Sequence, residues 1–207
     1  MLPYLIRTPR LTLRCWQPAD APLLRAALDD ETIATLRPWL DWAWDEPRSP
    51  EDTRAYLRTC RGKFDLDQDY TFGIFTRDES RVLGGTGLHL RIGPRVREIG
   101  YWIRADARRQ GFTTEAAAAL TQAAFRYHGV ARVEIHCEPE NHPSAAVARK
   151  LGYTHEATLR AHTLRRDEQW HASMLWTMLA DEFPASPYAS LPIEAWDAAG
   201  RKISTGK

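Results

Sequence analysis

The 207-residue chain carries 28 Lys+Arg against 27 Asp+Glu, a formal net charge of +1, with 43% hydrophobic and 27% charged residues. That length supports one buried core, the composition excludes wholesale disorder, and the balanced charge excludes a global field recruiting nucleic acid or a membrane surface. No apolar run approaches the ~20 residues of a spanning helix. MLPYLIRTPR lacks a secretory core, and Cys15, Cys60 and Cys137 are too few and scattered for a disulfide framework, so a cytoplasmic chain is expected.

In chain order, RLTLRCW (10–16) alternates apolar and polar residues and predicts a half-buried strand with Leu11, Leu13 and Cys15 on one face. Residues 18–30 follow as a helix with a Leu23, Leu24, Ala27, Leu28 stripe, then a turn-rich aromatic stretch, TLRPWLDWAWDEP (35–47). Ser49 is placed to cap a helix whose first turn holds Pro50, Glu51 and Asp52. Strands are predicted at 69–77, 81–92 and 96–104 as an antiparallel meander, with Gly100 marking a bulge or a close backbone approach. A helix from about Thr113 to His128 ends near Gly129; a strand covers 131–137, a short helix 143–151 stops at Gly152, and strands 154–160 and 169–179 form a long hairpin. The tail from Pro184 reads as a mobile extension, with Leu191, Ile193 and Trp196 available to dock it. The order β-α-α-β-β-β-α-β-α-β-β describes a mixed α/β domain around one central twisted sheet.

Within it, ADARRQGFTTEAAAA (105–119) sets two arginines before a glycine that opens a helix. The first helical turn leaves about four N–H groups unpaired and partly positive. Gly111 lets a phosphate approach the backbone, Arg108 and Arg109 add charge-assisted contacts, and small alanines let the helix lie close to the sheet. The plain alternative is an ordinary capped helix. No G-x-x-x-x-G-K-[ST] occurs, and GGTGLHLRIG (84–93) lacks dinucleotide-fold spacing. A second constellation, Asn141 through Tyr153, starts a helix with Asn141 and Ser144 and ends it in Leu-Gly-Tyr; alone, it reads as good capping.

Together, about thirty residues apart with a strand between, these segments resemble the GNAT N-acetyltransferases and their RimJ/RimL-like branch. The family's Arg/Gln-x-x-Gly-x-Gly/Ala signature is similar to Arg108-x-x-Gly111-x-Thr113, where Thr113 departs from the usual small residue. EIGYWI (98–103) resembles the cofactor strand, Asn141-x-x-Ser144 with Lys150-Leu-Gly-Tyr153 the second signature, and RPWLDWA (37–43) the substrate-side aromatic segment. The resemblance covers about residues 8–182, leaving 183–207 as a C-terminal extension. It implies a mostly antiparallel sheet, flanked by helices, whose central strand pair splays apart around the acetyl group. The implied donor is acetyl-CoA, with no metal. Its pyrophosphate would rest on the amides of Gln110, Gly111, Phe112, Thr113 and Thr114, and its pantetheine would run along Tyr101, Trp102 and Ile103. Ser144 would deliver or relay a proton to the leaving thiolate, with Asn141 positioning the pantetheine or the serine. The acceptor would be a primary amine, either a protein N-terminus or a small molecule such as a polyamine, amino acid or antibiotic, and some relatives suggest a homodimer.

The base is open between Glu98 and His136, set against a solvated strand charge and a half-buried strand residue. An α-amine of pKa near 7.8 is ~14% neutral at pH 7 and a lysine near 10.4 only ~0.04%, so an α-amine needs little base. Trp39 and Trp42 are candidate walls of an acceptor groove, with core packing as the alternative. Cys137 among Val133 and Ile135 suits burial better than covalent chemistry. Arg160, Arg165 and Arg166 read as a solvated turn, and no zinc spacing or G-x-S-x-G occurs. The rival to an enzyme is a non-catalytic domain binding CoA or a partner protein.

Overall fold

The computed structural model describes residues 3–91 and 93–204. In chain order it forms β1 (Leu5–Arg7), β2 (Leu11–Cys15), α1 (Ala21–Ala27), α2 (Asp30–Leu36), α3 (Pro50–Asp65), β3 (Tyr70–Thr76), β4 (Val82–His89) and β5 (Val96–Ile103). There follow α4 (Phe112–Arg126), β6 (Arg132–Cys137), α5 (His142–Leu151), β7 (Thr154–Leu164), β8 (Trp170–Leu179) and β9 (Glu194–Trp196). The strands make one sheet in the order β7-β8-β6-β5-β4-β3-β2-β1-β9. Every neighbouring pair is antiparallel except β5 and β6.

Short-range chemistry explains most boundaries. Ser49 accepts a hydrogen bond from the Asp52 amide and starts α3, and Gly152 stops α5 at φ +86°. The single helix expected at 18–30 is instead a 3-10 turn followed by α1 and α2. Asp29 takes an extended backbone and accepts from the Thr32 amide, so its cap starts a new helix where the apolar stripe would have continued the old one. No bulge occurs at Gly100. The β4–β5 ladder runs unbroken through Gly87↔Gly100, and the register shift lies between β3 and β4 at Ile74/Phe75. The strand expected to reach residue 92 ends at His89; Ile92 itself lies outside the described residues.

Both faces of the sheet are covered. Leu11, Thr12 and Leu13 are successive residues pointing to alternate faces, and all are fully buried. Helix α4 packs on β5, β4 and β2, while α3 packs on β3 and β2 and α1 on β4. Ala116 to Ala119 are each no more than 2% exposed, so α4 lies close to the strands over its first turns. The tail docks as far as residue 204. Fully buried Gln122 in α4 donates through Nε2 to the carbonyls of Tyr188 and Leu191, Ser186 Oγ donates to the Leu151 carbonyl, and β9 pairs with β1. Residues 205–207 lie outside the described residues.

The far end of α4 is tied to β5 by Arg97, which is buried and donates to the carbonyls of Gly93, Pro94 and Val96. Its Nη2 also lies 3.2 Å from His128 Nε2, which must therefore accept and be neutral. Burial, then the Arg97 charge, pulls His128 down to about 4. The folded state thus binds fewer protons than the unfolded chain between about pH 4 and 6.5, so its stability is full above that window and falls as pH drops through it. Chemical denaturation is expected to show a loss on the order of 2–3 kcal/mol between pH 7 and pH 4 from this group. His128→Gln should flatten that slope.

Candidate active site

The site begins where a ladder ends. Strands β5 and β6 pair in parallel only at Val96↔Arg132, Arg97↔Val133 and Glu98↔Glu134. Beyond Glu98, β5 continues to Ile103 against β4 alone, and β6 continues to Cys137 against β8 alone. The facing backbone groups of the two diverging segments therefore have no strand partner, and a wedge opens between them. Among the described residues it forms part of a cleft of about 820 Å³.

One side-chain contact spans the wedge. Tyr101 on β5 places its hydroxyl 3.0 Å from Ser144 Oγ and 3.2 Å from the Ser144 carbonyl at the start of α5. Ser144 is held in turn: its amide donates to Asn141 Oδ1 at 3.2 Å, so Asn141 is the cap of α5. Burial raises the Tyr101 phenol well above its ordinary value, so it is a protonated donor at neutral pH. Burial also raises the Cys137 thiol, with the nearby Ser144 hydroxyl working in the opposite direction.

The second part is the start of α4. Gly111 is its N-cap at φ +80°, and no side chain caps the amides that follow. An L side chain at this backbone costs roughly 1–2 kcal/mol. Of the expected cradle, Arg108 and Thr113 line the cleft, whereas Arg109, Gln110, Gly111, Phe112 and Thr114 lie outside its wall. Arg109 is exposed at φ +61°, Gln110 Nε2 donates to the Asp106 carbonyl, and Thr114 is buried.

Arg10, which sequence reasoning missed, organises this turn from a hundred residues away. It donates to the Gln110 carbonyl at 2.9 Å and stacks 4.7 Å above the Phe112 ring. Buried Glu115 clamps it through Nε at 2.6 Å and also accepts from Thr8 Oγ1 at 2.6 Å.

The remaining candidates all line the cleft: Trp39, Trp42, Glu98, Trp102, Ile103 and His136. Trp42 meets Trp102 edge to face at 5.9 Å. Glu98 is engaged by Arg91 Nη1 at 2.9 Å, and His136 Nε2 lies 2.8 Å from Glu134 and its ring stacks on His162. Arg165 is not part of a solvated turn. It lies only 9% exposed between Asp41 (2.7 Å) and Glu138, tying the β7–β8 hairpin across the cleft to the tryptophan segment. Arg166 pairs with Asp45 at the exposed rim. A further missed pair, Asp69 and His89, sits on the cleft wall with His89 Nδ1 at 2.9 Å from Asp69 Oδ1. The only signal for it is the β3–β4 register, in which Tyr70↔Leu88 brings residue 69 opposite 89.

A parallel strand pair parted beside a half-buried Tyr–Ser contact, with an uncapped helix start, is the arrangement that the resemblance to the acetyltransferases implies. Residues 10–154 match the acetyltransferase (GNAT) domain family, and the chain belongs to it. An uncharacterized N-acetyltransferase of Bacillus subtilis, YnaD, is 26% identical over 178 residues, covering 86% of this chain and 98% of its own. A putative ribosomal-protein-serine acetyltransferase from Vibrio cholerae is 28% identical with a TM-score of 0.73, covering 86% and 99%. RimL, a ribosomal-protein acetyltransferase in complex with coenzyme A, shares the fold at a TM-score of 0.75 and 23% identity, covering 84% and 97%.

Burial and a raised pKa make the Cys137 thiol a poor nucleophile. With iodoacetamide at pH 7.5, Cys137 of the folded chain is expected to label at least ~10-fold more slowly than in the urea-unfolded chain. Peptide mapping of the alkylated protein reads this directly; equal rates would put a reactive thiolate in the cleft.

Proposed function

We propose that the protein transfers the acetyl group of acetyl-CoA to a primary amine, a protein N-terminal α-amine, by direct attack in a ternary complex. The observation carrying this reading is the end of the β5–β6 ladder at Glu98↔Glu134 directly beside the Tyr101–Ser144 contact. Unpaired backbone along 99–103 suits the amides of pantetheine, which would add as a pseudo-strand. The uncapped amides at the start of α4, with Arg108, suit a pyrophosphate. Glu115, although acidic and in the same first turn, is turned to Thr8 and Arg10 and does not occupy that end.

Three tasks then fall to this chain's own residues. A backbone N–H of β5 polarises the thioester carbonyl. The Tyr101–Ser144 pair protonates the leaving thiolate, with Asn141 fixing the turn that carries Ser144. Trp42, Trp102 and the Arg165 bridge border the side from which the amine arrives. The protein acceptor is supported by the Vibrio cholerae relative, whose description names a ribosomal-protein serine as its target.

The test is thiol release from acetyl-CoA with four amines: a serine-initiated peptide, an alanine-initiated peptide, spermidine and free lysine. The peptides should be used fastest. Ser144→Ala is expected to lower kcat about 10-fold or more while coenzyme A binding by calorimetry holds, because the lost group acts on the leaving sulfur. Fast turnover of spermidine alone would replace the protein acceptor by a small one. Coenzyme A uptake without turnover of any amine would make the domain a non-catalytic binder.

The helix start is tested separately. Gly111→Ala should weaken coenzyme A about 10-fold and cost roughly 1–2 kcal/mol of stability. Gly129→Ala, at φ +60° in open space, should cost similar stability and leave coenzyme A binding unchanged.

A further inference from the structure

Resting on that reading, we propose that His89, oriented by Asp69, is the general base that takes the proton of the attacking amine. His89 closes β4 opposite Glu98 of β5, on the sheet face it shares with Gly87 and, across the ladder, Gly100. Its ring lies over those two glycines. A Cβ added to Gly87 would come within 2.7 Å of the imidazole Cε1, and one added to Gly100 within 3.2 Å of Nε2. The glycines therefore make a floor that any side chain would fill, and Nε2 is turned toward the strand along which the wedge opens.

The other ring nitrogen sets the protonation. Nδ1 lies 2.9 and 3.1 Å from the two Asp69 oxygens, so Nδ1–H donates and the neutral ring carries its lone pair on Nε2. Burial works against the Asp69 charge, but the hydrogen bond and charge of His89 outweigh it, and the carboxyl stays below its usual range. Nε2 has no hydrogen-bond partner among the described residues. Of the two bases expected from sequence, Glu98 holds Arg91, while His136, with Nε2 on Glu134 and its ring stacked on His162, is the rival that the experiment below separates from His89.

In the step itself, the amine lone pair forms the C–N bond to the thioester carbonyl carbon as the C–S bond breaks. One N–H proton passes to His89 Nε2, directly or through one water. The leaving sulfur takes a proton from the Tyr101–Ser144 pair, which is reprotonated by solvent as His89 releases its own proton there. No further reactant is needed. Apart from Asp69, the titratable or charged groups on the cleft wall near His89 are Arg91 and Glu98 beside it and Tyr56, Cys60 and Lys63 from α3.

The experiment is the pH dependence of kcat with acetyl-CoA and whichever of the four amines the wild type uses fastest. A base essential in the bound complex gives kcat an acidic limb. His89→Gln should lower kcat at pH 7 about 100-fold, leave coenzyme A binding intact, and replace that limb by the amine's own ionisation, near ~7.8 for a peptide α-amine, so that the deficit shrinks about 7-fold, to roughly 15-fold, by pH 9. Asp69→Asn, a positioning change, should cost ~10-fold and be rescued by pH in the same way. Glu98→Gln and His136→Gln should keep the wild-type limb. A limb that survives in folded His89→Gln, or one lost instead in His136→Gln, overturns the assignment while leaving acetyl transfer standing; no turnover by wild type overturns both. Should His89→Gln fail to fold, Asp69→Asn carries the kinetic test. 15N shifts of the wild-type imidazole then supply a second one, since an Nε2–H tautomer contradicts the proposal.

Discussion

Three parallel residue pairs hold the centre of this sheet together, and the chemistry depends on there being no fourth. Had β5 and β6 continued in register past Glu98 and Glu134, their backbone groups would have satisfied each other and left no room for a ligand. Instead each strand is supported from its outer side, β5 by β4 and β6 by β8, so the parting costs neither strand its regular form. The unpaired inner edges remain accessible to water or to a ligand backbone. In a sheet of this size such an edge would normally sit at the rim; here it is internal, within reach of side chains from both flanking strands.

The helix start beside the wedge owes its geometry to a contact remote in sequence. Glu115 is buried in the first turn of α4, where a carboxylate would ordinarily compete with an anionic ligand for the positive helix end. Thr8 and Arg10 draw it to the opposite side, and the same Arg10 holds the Gln110 carbonyl that precedes the left-handed Gly111. The alanines that follow bring this end of the helix close to the strands. The Tyr101–Ser144 contact, made across the opening, links the two halves of the site without closing it.

What could be read from sequence was local. Capping by Ser49 and Asn141, the stop at Gly152 and the meander of three strands depend on neighbours a few residues apart, and these residues do in the structure what their chemistry suggests. The cleft residues on β5 and α5 were legible for the same reason, since each strand or helix carries its own. What escaped depends on register or distance. Asp69 and His89 meet only because two strands pair with Tyr70 opposite Leu88, and Arg165 is buried only because a hairpin reaches Asp41. The short β1 and β9 have too few residues for alternation to signal; β1 exists because β2 and β9 flank it, and β9 because it pairs with β1. At Gly100 a bulge and a close approach are both reasons for a glycine, and the unbroken β4–β5 ladder with the His89 ring above it decides for the second.

Backbone hydrogen exchange followed by mass spectrometry, with and without saturating coenzyme A, tests the central claim most directly. If the parted strands and the uncapped helix start receive the two ends of one molecule, peptides spanning 99–103 and 111–115 slow together while those spanning β2 and β3 do not change. Exchange that is unaltered in both segments, or slowed only at a site remote from the wedge, contradicts the account.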